Sequence, residues 1–372
     1  MIKIFFYQIN TQKYYIFGLS IILILFLTLD FIFGLTNWGV INKVLLFENS
    51  VTSRSQILQL IFPLISFEQN LGFPVLAESQ AGVFDPIKLF YNLVFGSLNH
   101  INLTFFTRIT VLYSSIYILL KDGYKLTNQT SLITSLFAIF SPTLWNDAVH
   151  QFHLGSFYLL PLSIYFVEKF LNLENYLKYF ISGSFVIFFQ LLSGHFHYQL
   201  ICLIILIIYT SITILFIRPI KYKKIFLKFA IFFITLVFGF CLAAIQIIPT
   251  FELMLDGDRS NFQETFQMSL SVSGILLFFK TLSKFFNNID GSISSLGYIA
   301  IFIYTTTQFI TSVKSKKFVY NKIYLKYALV FIIVYLLSLG DFFLLNNFIY
   351  KAVPFLESFR APERFMKINT FC

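Results

Sequence analysis

Two adjacent segments in the middle of the chain decide its class. Residues 198–217, YQLICLIILIIYTSITILFI, form a mostly apolar run, and residues 218–224, RPIKYKK, follow it directly. A helix needs roughly 20 apolar residues to cross the hydrocarbon core of a bilayer. Lys and Arg gather in the short loops on the cytoplasmic side of such helices. The two segments therefore predict a transmembrane helix whose carboxyl end faces the cytoplasm.

The composition extends this prediction to the whole chain of 372 residues. Hydrophobic residues make up 57% of it and charged residues only 12%, whereas soluble domains carry about 25% charged residues. So few charges do not cover a globule of this size in water, which excludes an ordinary soluble protein. The net charge of +10 could indicate nucleic-acid binding, but the basic residues lie between apolar runs, as they do in membrane proteins. Cys202, Cys241 and Cys372 are too scattered for a disulfide framework or a thiolate metal site.

Apolar runs of spanning length recur along the chain. Lipid tolerates only helices or closed barrels, and uninterrupted runs exclude the barrel. We therefore predict an all-α, polytopic transmembrane helical bundle forming a single transmembrane domain over residues 1–372. Its nine spans are predicted near 15–33, 102–120, 130–146, 154–170, 178–194, 198–217, 229–249, 296–313 and 325–340.

The positions of the basic residues predict the orientation. With a cytoplasmic N-terminus, 16 of the 27 Lys and Arg residues fall in short cytoplasmic segments. The opposite face then receives the long extracytoplasmic loops 34–101, 250–295 and 341–372. Two half-amphipathic stretches in these loops, Gln56–Ser66 and Ser271–Phe286, are predicted to be short interfacial helices. The element that opens at Arg360 predicts that a C-terminal part is missing.

The first long loop carries a segment rich in Gly and Pro, Gly72–Pro86, which predicts a shaped, non-helical loop. Glu78 and Asp85 lie in it with no basic residue between them. A carboxylate on such a loop beside an apolar surface could act as a general base. The alternative is a solvated loop whose acids have no chemical role.

Two further outer segments contain histidines. Asp147, His150 and His153 lie in the first, and His195 and His197 in the second. Together they could ligate a metal, or they could be ordinary hydrogen-bonding residues at the membrane boundary. We assign His150, His153 and His195 to substrate binding and no residue to a metal site, although a divalent metal remains possible.

The remaining candidate residues are polar groups near the outer interface. Gln246 lies inside a predicted span, where a polar side chain faces protein or an aqueous cavity, or joins two helices. Pro249 is predicted to end or kink that helix. Arg360 and Arg364 flank Pro362, a residue suited to the first turn of a helix, and guanidinium groups there suit a phosphate. Arg259 is a further candidate in loop 250–295.

Taken in order, these motifs resemble the YfhO family of bacterial membrane proteins, which belong with the GT-C-type glycosyltransferases. The residues that carry the resemblance are Gly72, Pro74, Ala77, Gln80, Gly82 and Pro86, then Gly194 and His195, then Ala244, Gln246, Pro249 and Glu252, and finally Arg360, Pro362, Arg364 and Phe365. The resemblance implies a GT-C-like fold in the bacterial cytoplasmic membrane.

The resemblance also implies a function. Such an enzyme moves a sugar from a polyprenyl-phosphate donor to a cell-envelope acceptor, such as a surface polysaccharide or a teichoic acid, on the extracytoplasmic face. A carboxylate would deprotonate the acceptor while Arg360 and Arg364 stabilise the departing lipid phosphate. The family tends to place an Asp before a Gln upstream of the Gly-Pro motif, and residues 52–59 contain none. The carboxylates that could replace it include Glu68, Glu78 and Asp85.

Two other functions compete with the glycosyltransferase. A transporter or flippase of a lipid-linked saccharide would carry charged residues deep within several spans, and the candidates for such residues are Asp30 and Arg108. A non-catalytic membrane scaffold is favoured by the absence of the upstream Asp. Every alternative has the lipid bilayer as a partner, and none involves nucleic acid.

Overall fold

A computed structural model describes residues 18, 74–79, 82–95, 100–139, 151–172, 176–216 and 222–256, and single positions at 326, 329–330, 332–334 and 337. Every regular element in these ranges is a helix, which confirms the predicted all-α class. The helices are α1 (Pro86–Phe95), α2 (His100–Ile118), the π-helix π1 (Leu119–Gly123), α3 (Asn128–Ile139), α4 (Gln151–Phe157), α5 (Leu160–Asn172), α6 (Tyr176–Leu192), α7 (Phe196–Phe216), α8 (Tyr222–Leu242) and α9 (Ala244–Asp256).

Several of these helices have the length and apolar character of membrane spans. In the described part of the chain, three qualify: Leu103–Gly123, Leu154–Leu171 and Phe196–Ile214. A fourth is obtained if the bent pair Phe226–Leu242 and Ala244–Leu253 is one span, and Leu177–Leu192 is apolar but shorter. Large apolar side chains such as Phe226 and Phe233 are exposed on α8, as expected of a helix whose solvent is lipid. These features are those of a membrane protein.

Several predicted elements lie outside the described residues. They are the span 296–313, the interfacial stretches 56–66 and 271–286, nearly all of 15–33, most of 325–340 and the last part of 130–146. The count of nine spans and the GT-C-like arrangement therefore stay predictions.

The segment predicted as one span over 229–249 is two helices. The chain bends by 79° between α8 and α9, at Ala243. Pro249 lies inside α9, which continues to Asp256. The helix therefore does not end at Pro249, and the alternative, a kink at that residue, stays a prediction. The bend precedes the proline by more than one turn, at a residue without any Gly or Pro signal.

The chain divides into two compact units. The first comprises Met1–Phe140, Leu144–Phe196 and Ile234–Thr250. Within it, α2 packs against α1, α3, α4 and α5, and α5 packs against α6. The buried side chains between these helices are mainly apolar, and they include Phe105, Ile109, Leu112, Leu160, Ile164 and Leu191.

Small residues bring α6 and the carboxyl half of α8 into close contact within the first unit. A Cβ atom added at Gly239 would lie 2.7 Å from Cγ2 of Ile187 and 3.2 Å from the carbonyl oxygen of Ser184. The Ser184 hydroxyl donates a hydrogen bond to the Thr235 carbonyl oxygen at 3.3 Å. Membrane helices pack through such small-residue contacts because lipid supplies no hydrophobic force between them.

The second unit comprises Ser141–Thr143, His197–Phe233 and Phe251–Cys372. The α7 hydroxyls of Thr210 and Thr213 donate hydrogen bonds to carbonyl oxygens one turn earlier, at 2.7 Å each. The buried Lys326 ammonium lies 4.7 Å from the centre of the Tyr209 ring. These contacts satisfy polar groups on a helix that is otherwise apolar.

Candidate functional site

The segment Pro74–Asp85 forms the predicted shaped loop where the structure describes it, at 74–79 and 82–85. The Glu78 amide donates to the Pro74 carbonyl oxygen at 3.0 Å, and the Gly82 amide donates to the Ser79 carbonyl oxygen at 3.1 Å. Gly82 has φ 57°, a left-handed conformation that costs glycine little. The loop thus turns back on itself through its own backbone.

Asp85 ends the loop and starts α1. Its Oδ1 accepts hydrogen bonds from the amides of Ile87, at 3.0 Å, and Lys88, at 3.3 Å. Pro86 occupies the first helical position, where its missing N–H is no loss. An aspartate followed by proline is a strong start signal for a helix, and the local sequence therefore fixes where α1 begins.

The other carboxylate oxygen of Asp85 forms a buried ion pair with Nη2 of Arg108 on α2. Both side chains are almost fully buried. The hydroxyl of Tyr158 interacts with both charges and shares a hydrogen bond with the Ser193 side chain. A charge in such surroundings is tolerated because its partner and neighbouring polar groups compensate for the lost water.

Gly155 on α4 leaves room for the Arg108 guanidinium. A Cβ atom at Gly155 would lie 3.0 Å from both Cζ and Nη2 of Arg108. That distance is shorter than ordinary van der Waals contact between heavy atoms, so a larger residue would displace the guanidinium. The glycine is thus part of the support of the ion pair.

The loop is also fixed to Phe196 and Gln246, which belong to the same unit. The Ser79 hydroxyl oxygen accepts a hydrogen bond from the amide of Phe196, the first residue of α7, at 2.9 Å. Nε2 of Gln246 donates to the Leu76 carbonyl oxygen at 2.7 Å and to the Thr250 hydroxyl at 3.3 Å. Gln246 is almost fully buried. Loop Pro74–Asp85 is therefore held by backbone and side-chain partners far away in sequence.

The Ser193–His195 segment is fixed to α4. Gly194 has φ 94°, which side-chain-bearing residues rarely adopt. The Ser156 hydroxyl donates to the His195 carbonyl oxygen at 3.1 Å. Gln190 Nε2 donates to the Ser156 carbonyl oxygen at 3.1 Å, and the Ser163 hydroxyl donates to Gln190 Oε1 at 3.2 Å. This chain of polar groups ties α4, α5 and α6 to the start of α7.

The predicted site residues fall into three groups. Glu78, Asp85, Gln246 and His195 lie in or beside loop Pro74–Asp85 and its supports, with Glu78 and His195 half-buried. His153 belongs to α4, but its side chain is outside the described part. The other candidates, Glu68, His150, Arg259, Arg360 and Arg364, lie outside the described residues.

Prediction from sequence missed the residues that support the loop. Ser79, Gly155 and Tyr158 carried no signal, because small and hydroxyl-bearing residues are common in loops and in apolar segments. Gln190 lies inside a predicted span as Gln246 does, and that signal was overlooked. Arg108 also carried one, since an arginine within a span requires a partner. Asp85 is that partner.

The described residues do not support a metal site. Among the residues that the structure describes, no group of three or more His, Cys, Asp and Glu side chains could hold a metal ion. Asp147 and His150, which the metal hypothesis required, lie outside those residues.

No protein-family model, curated protein or solved structure matches the chain. The resemblance to the YfhO family therefore depends on the motifs alone.

Proposed function

We propose that the chain is a membrane glycosyltransferase of the GT-C type, which moves a sugar from a polyprenyl-phosphate donor to a cell-envelope acceptor on the extracytoplasmic face. One observation supports this proposal above the others. Three of the four motifs behind the family resemblance meet: loop Pro74–Asp85 is hydrogen-bonded to Phe196, next to Gly194 and His195, and to Gln246. Motifs with a merely local role need not converge.

The location suits a lipid-linked donor. Loop Pro74–Asp85 lies beside Ser193 and His195 at the carboxyl end of α6, and beside Phe196 at the beginning of the span Phe196–Ile214. Span ends are at the level of the lipid headgroups. A polyprenyl phosphate presents its phosphate and sugar at that depth, while its chain stays in the hydrocarbon. A shaped loop fixed at a span end can therefore meet the sugar without a deep pocket.

The two described carboxylates of the loop have different surroundings. Asp85 is fully buried, caps α1 and pairs with Arg108, so its oxygens are already engaged. Glu78 is half-buried and lies between the Pro74 turn and Ser79. We assign Glu78 as the general base and Asp85 as the residue that anchors the loop.

The reaction is a direct displacement. Glu78 takes the proton of the acceptor hydroxyl while the hydroxyl oxygen bonds to the anomeric carbon. At the same time the bond from that carbon to the phosphate oxygen breaks. The bonding electrons leave with the polyprenyl phosphate. Arg360 and Arg364 are the proposed partners of that phosphate, because guanidinium groups bind phosphate oxygens bidentately.

The test is sugar transfer by the purified full chain, with a polyprenyl phosphate carrying a radiolabelled hexose and a cell-envelope fraction as acceptor. Glu78→Gln is expected to lower the rate about 10²–10⁴-fold, the usual contribution of a general base. Glu78→Asp should retain part of the rate. Asp122→Asn is the matched control, since Asp122 is also half-buried but lies in π1, and it should transfer at the wild-type rate.

Other results of this experiment would overturn the assignment of the base or favour a competing function. Full activity of Glu78→Gln would overturn the assignment of the base. Wild-type protein that carries labelled donor across a vesicle membrane without transferring the sugar would be a flippase. Wild-type protein that neither transfers nor hydrolyses the donor would be a scaffold. The pairing of Arg108 with Asp85 weakens the transport hypothesis, because it gives this intramembrane charge a structural partner.

A further inference from the structure

Four lysines and three tyrosines gather at the opposite end of the helices from loop Pro74–Asp85. We call them the lysine–tyrosine cluster: Lys121, Lys125, Lys169 and Lys178, with Tyr117, Tyr165 and Tyr179. Three ammonium groups lie over aromatic rings, with Nζ 5.1 Å from the ring centre for Lys121 and Tyr117, 5.5 Å for Lys169 and Tyr165, and 6.0 Å for Lys178 and Tyr179. Each is a cation–π contact.

Helix packing brings these pairs together. A Cβ atom at Gly123 would lie 3.7 Å from Cδ2 of Tyr165, so π1 lies directly against α5. Asp122 and Lys125 both interact electrostatically with Lys169. The Tyr179 ring of α6 lies 6.3 Å from that of Phe166 on α5. The cluster is therefore one surface built from α2 with π1, from α5 and from α6.

The cluster carries an excess of positive charge. In the described part of the chain, Asp122 and the buried Glu168 are the acids beside these four lysines. Lys125 and Lys169 are neighbours of like charge, and an added anion would reduce the repulsion between them.

The backbone at Lys125 is also unusual, because Lys125 has φ 61°, which is uncommon for a residue with a side chain. It follows a π-helix, a form found frequently at functional sites. Two neighbouring like charges, an uncommon backbone conformation and a π-helix thus occur at the same place.

The position of the cluster identifies the anion. Lys121 lies at the end of the span Leu103–Gly123, and Lys169 near the end of the span Leu154–Leu171. Tyrosine and lysine at span ends sit at the level of the lipid headgroups. The anion most abundant at that depth is a lipid phosphate. We propose that the lysine–tyrosine cluster binds the headgroup phosphate of an anionic phospholipid, a role independent of sugar transfer at the other end.

The proposal predicts selective retention of anionic lipid. The full chain is reconstituted in nanodiscs that contain equal parts of dioleoylphosphatidylglycerol and dioleoylphosphatidylcholine, and the retained lipid is counted by native mass spectrometry. Wild-type protein should retain phosphatidylglycerol preferentially. The double variant Lys125→Gln/Lys169→Gln should bind it roughly 25-fold more weakly, since each lysine near a charged surface contributes about fivefold.

Two comparison variants separate a site from general charge attraction. Lys125→Arg/Lys169→Arg keeps both charges and should retain the lipid. Lys316→Gln/Lys317→Gln removes the same charge from another lysine-rich segment and should weaken retention much less, because those lysines are outside the cluster. An equal loss in that variant would overturn the proposal, and so would equal retention of the two lipids by wild-type protein. Displacement of the lipid by millimolar inorganic phosphate would show a site for a soluble anion instead, and would also overturn it.

Discussion

The helices of the first unit present two polar ends that are built in different ways. At one end, the Asp85–Arg108 pair is buried, and directional hydrogen bonds hold loop Pro74–Asp85 to Phe196 and Gln246. At the other end, lysines of the lysine–tyrosine cluster are exposed or half-buried and lie over aromatic rings. α6 joins the two: Lys178 lies near its beginning and Ser193 just past its end, about 20 Å apart at 1.5 Å per residue.

This difference predicts how each end responds to substitution. A buried charge is stabilised mainly by its charged partner, because the hydrogen bonds around it do not balance its charge. Exposed lysines are solvated and interchangeable, so losing one changes stability little. Substitutions at the end that holds loop Pro74–Asp85, the loop end, should therefore change stability strongly and lipid binding little. Substitutions in the lysine–tyrosine cluster, at the lysine end, should change lipid binding strongly and stability little.

The largest expected effect is that of Arg108→Met. It leaves the buried Asp85 carboxylate without its partner, and should lower the free energy of unfolding by about 3–5 kcal/mol. Unfolding of the purified chain in mixed micelles, titrated with sodium dodecyl sulfate, measures the loss. The double variant Arg108→Met/Asp85→Asn should recover much of it, since asparagine is neutral and still caps α1. A double variant no more stable than Arg108→Met would show that the ion pair is not the cause.

The second effect concerns the space beside the ion pair. Gly155→Ala places a Cβ atom 3.0 Å from the Arg108 guanidinium, and the resulting displacement should cost about 1–3 kcal/mol in the same titration. Gly18→Ala is the control, because a Cβ atom there has no neighbour within 4 Å. Equal stability of the two alanine variants would show that Arg108 adjusts without cost.

Much of the fold follows from the composition and from apolar runs, because lipid leaves helices as the simplest solution for the backbone. The membrane character and the all-α class needed no tertiary information. The partner of Arg108 did need it, since Asp85 resembles a solvated loop acid until α2 is placed beside the loop. The bend at Ala243 was missed for a related reason. Pro249 supplied the only local signal, and the helix continues through it.

Individual residues of the candidate site could be predicted from the sequence, but the hydrogen bonds that join them could not. Gln246 and the Gly194–His195 motif were recognisable as unusual residues at helix ends. Their relation to the loop depends on hydrogen bonds such as Ser79 to Phe196, which join residues 117 apart. Such pairings depend on how the helices pack, and the pattern of apolar and polar residues along the sequence does not predict them.

The third effect tests the hydrogen bond between the loop and Phe196. Ser79→Ala removes the acceptor of the Phe196 amide and should cost about 1 kcal/mol, as the loss of a helix cap does. Ser114→Ala is the control, since that hydroxyl donates only within its own helix, to the Thr110 carbonyl oxygen at 2.8 Å, and should be close to neutral. Because the loop carries Glu78, Ser79→Ala should also reduce sugar transfer. A loss of stability with an unchanged transfer rate would separate the loop from the chemistry.

The smallest effect on stability is expected at the lysine end, and it completes the contrast between the two ends. Lys178 is exposed and contacts the Tyr179 ring at 6.0 Å, so Lys178→Gln should change the free energy of unfolding by less than about 0.5 kcal/mol. The same variant should nevertheless weaken retention of phosphatidylglycerol severalfold, because the charge acts on the headgroup rather than on the fold. A destabilisation comparable to that of Arg108→Met would mean that the lysine end also holds the helices together. The two ends would then differ in exposure but not in their role in folding.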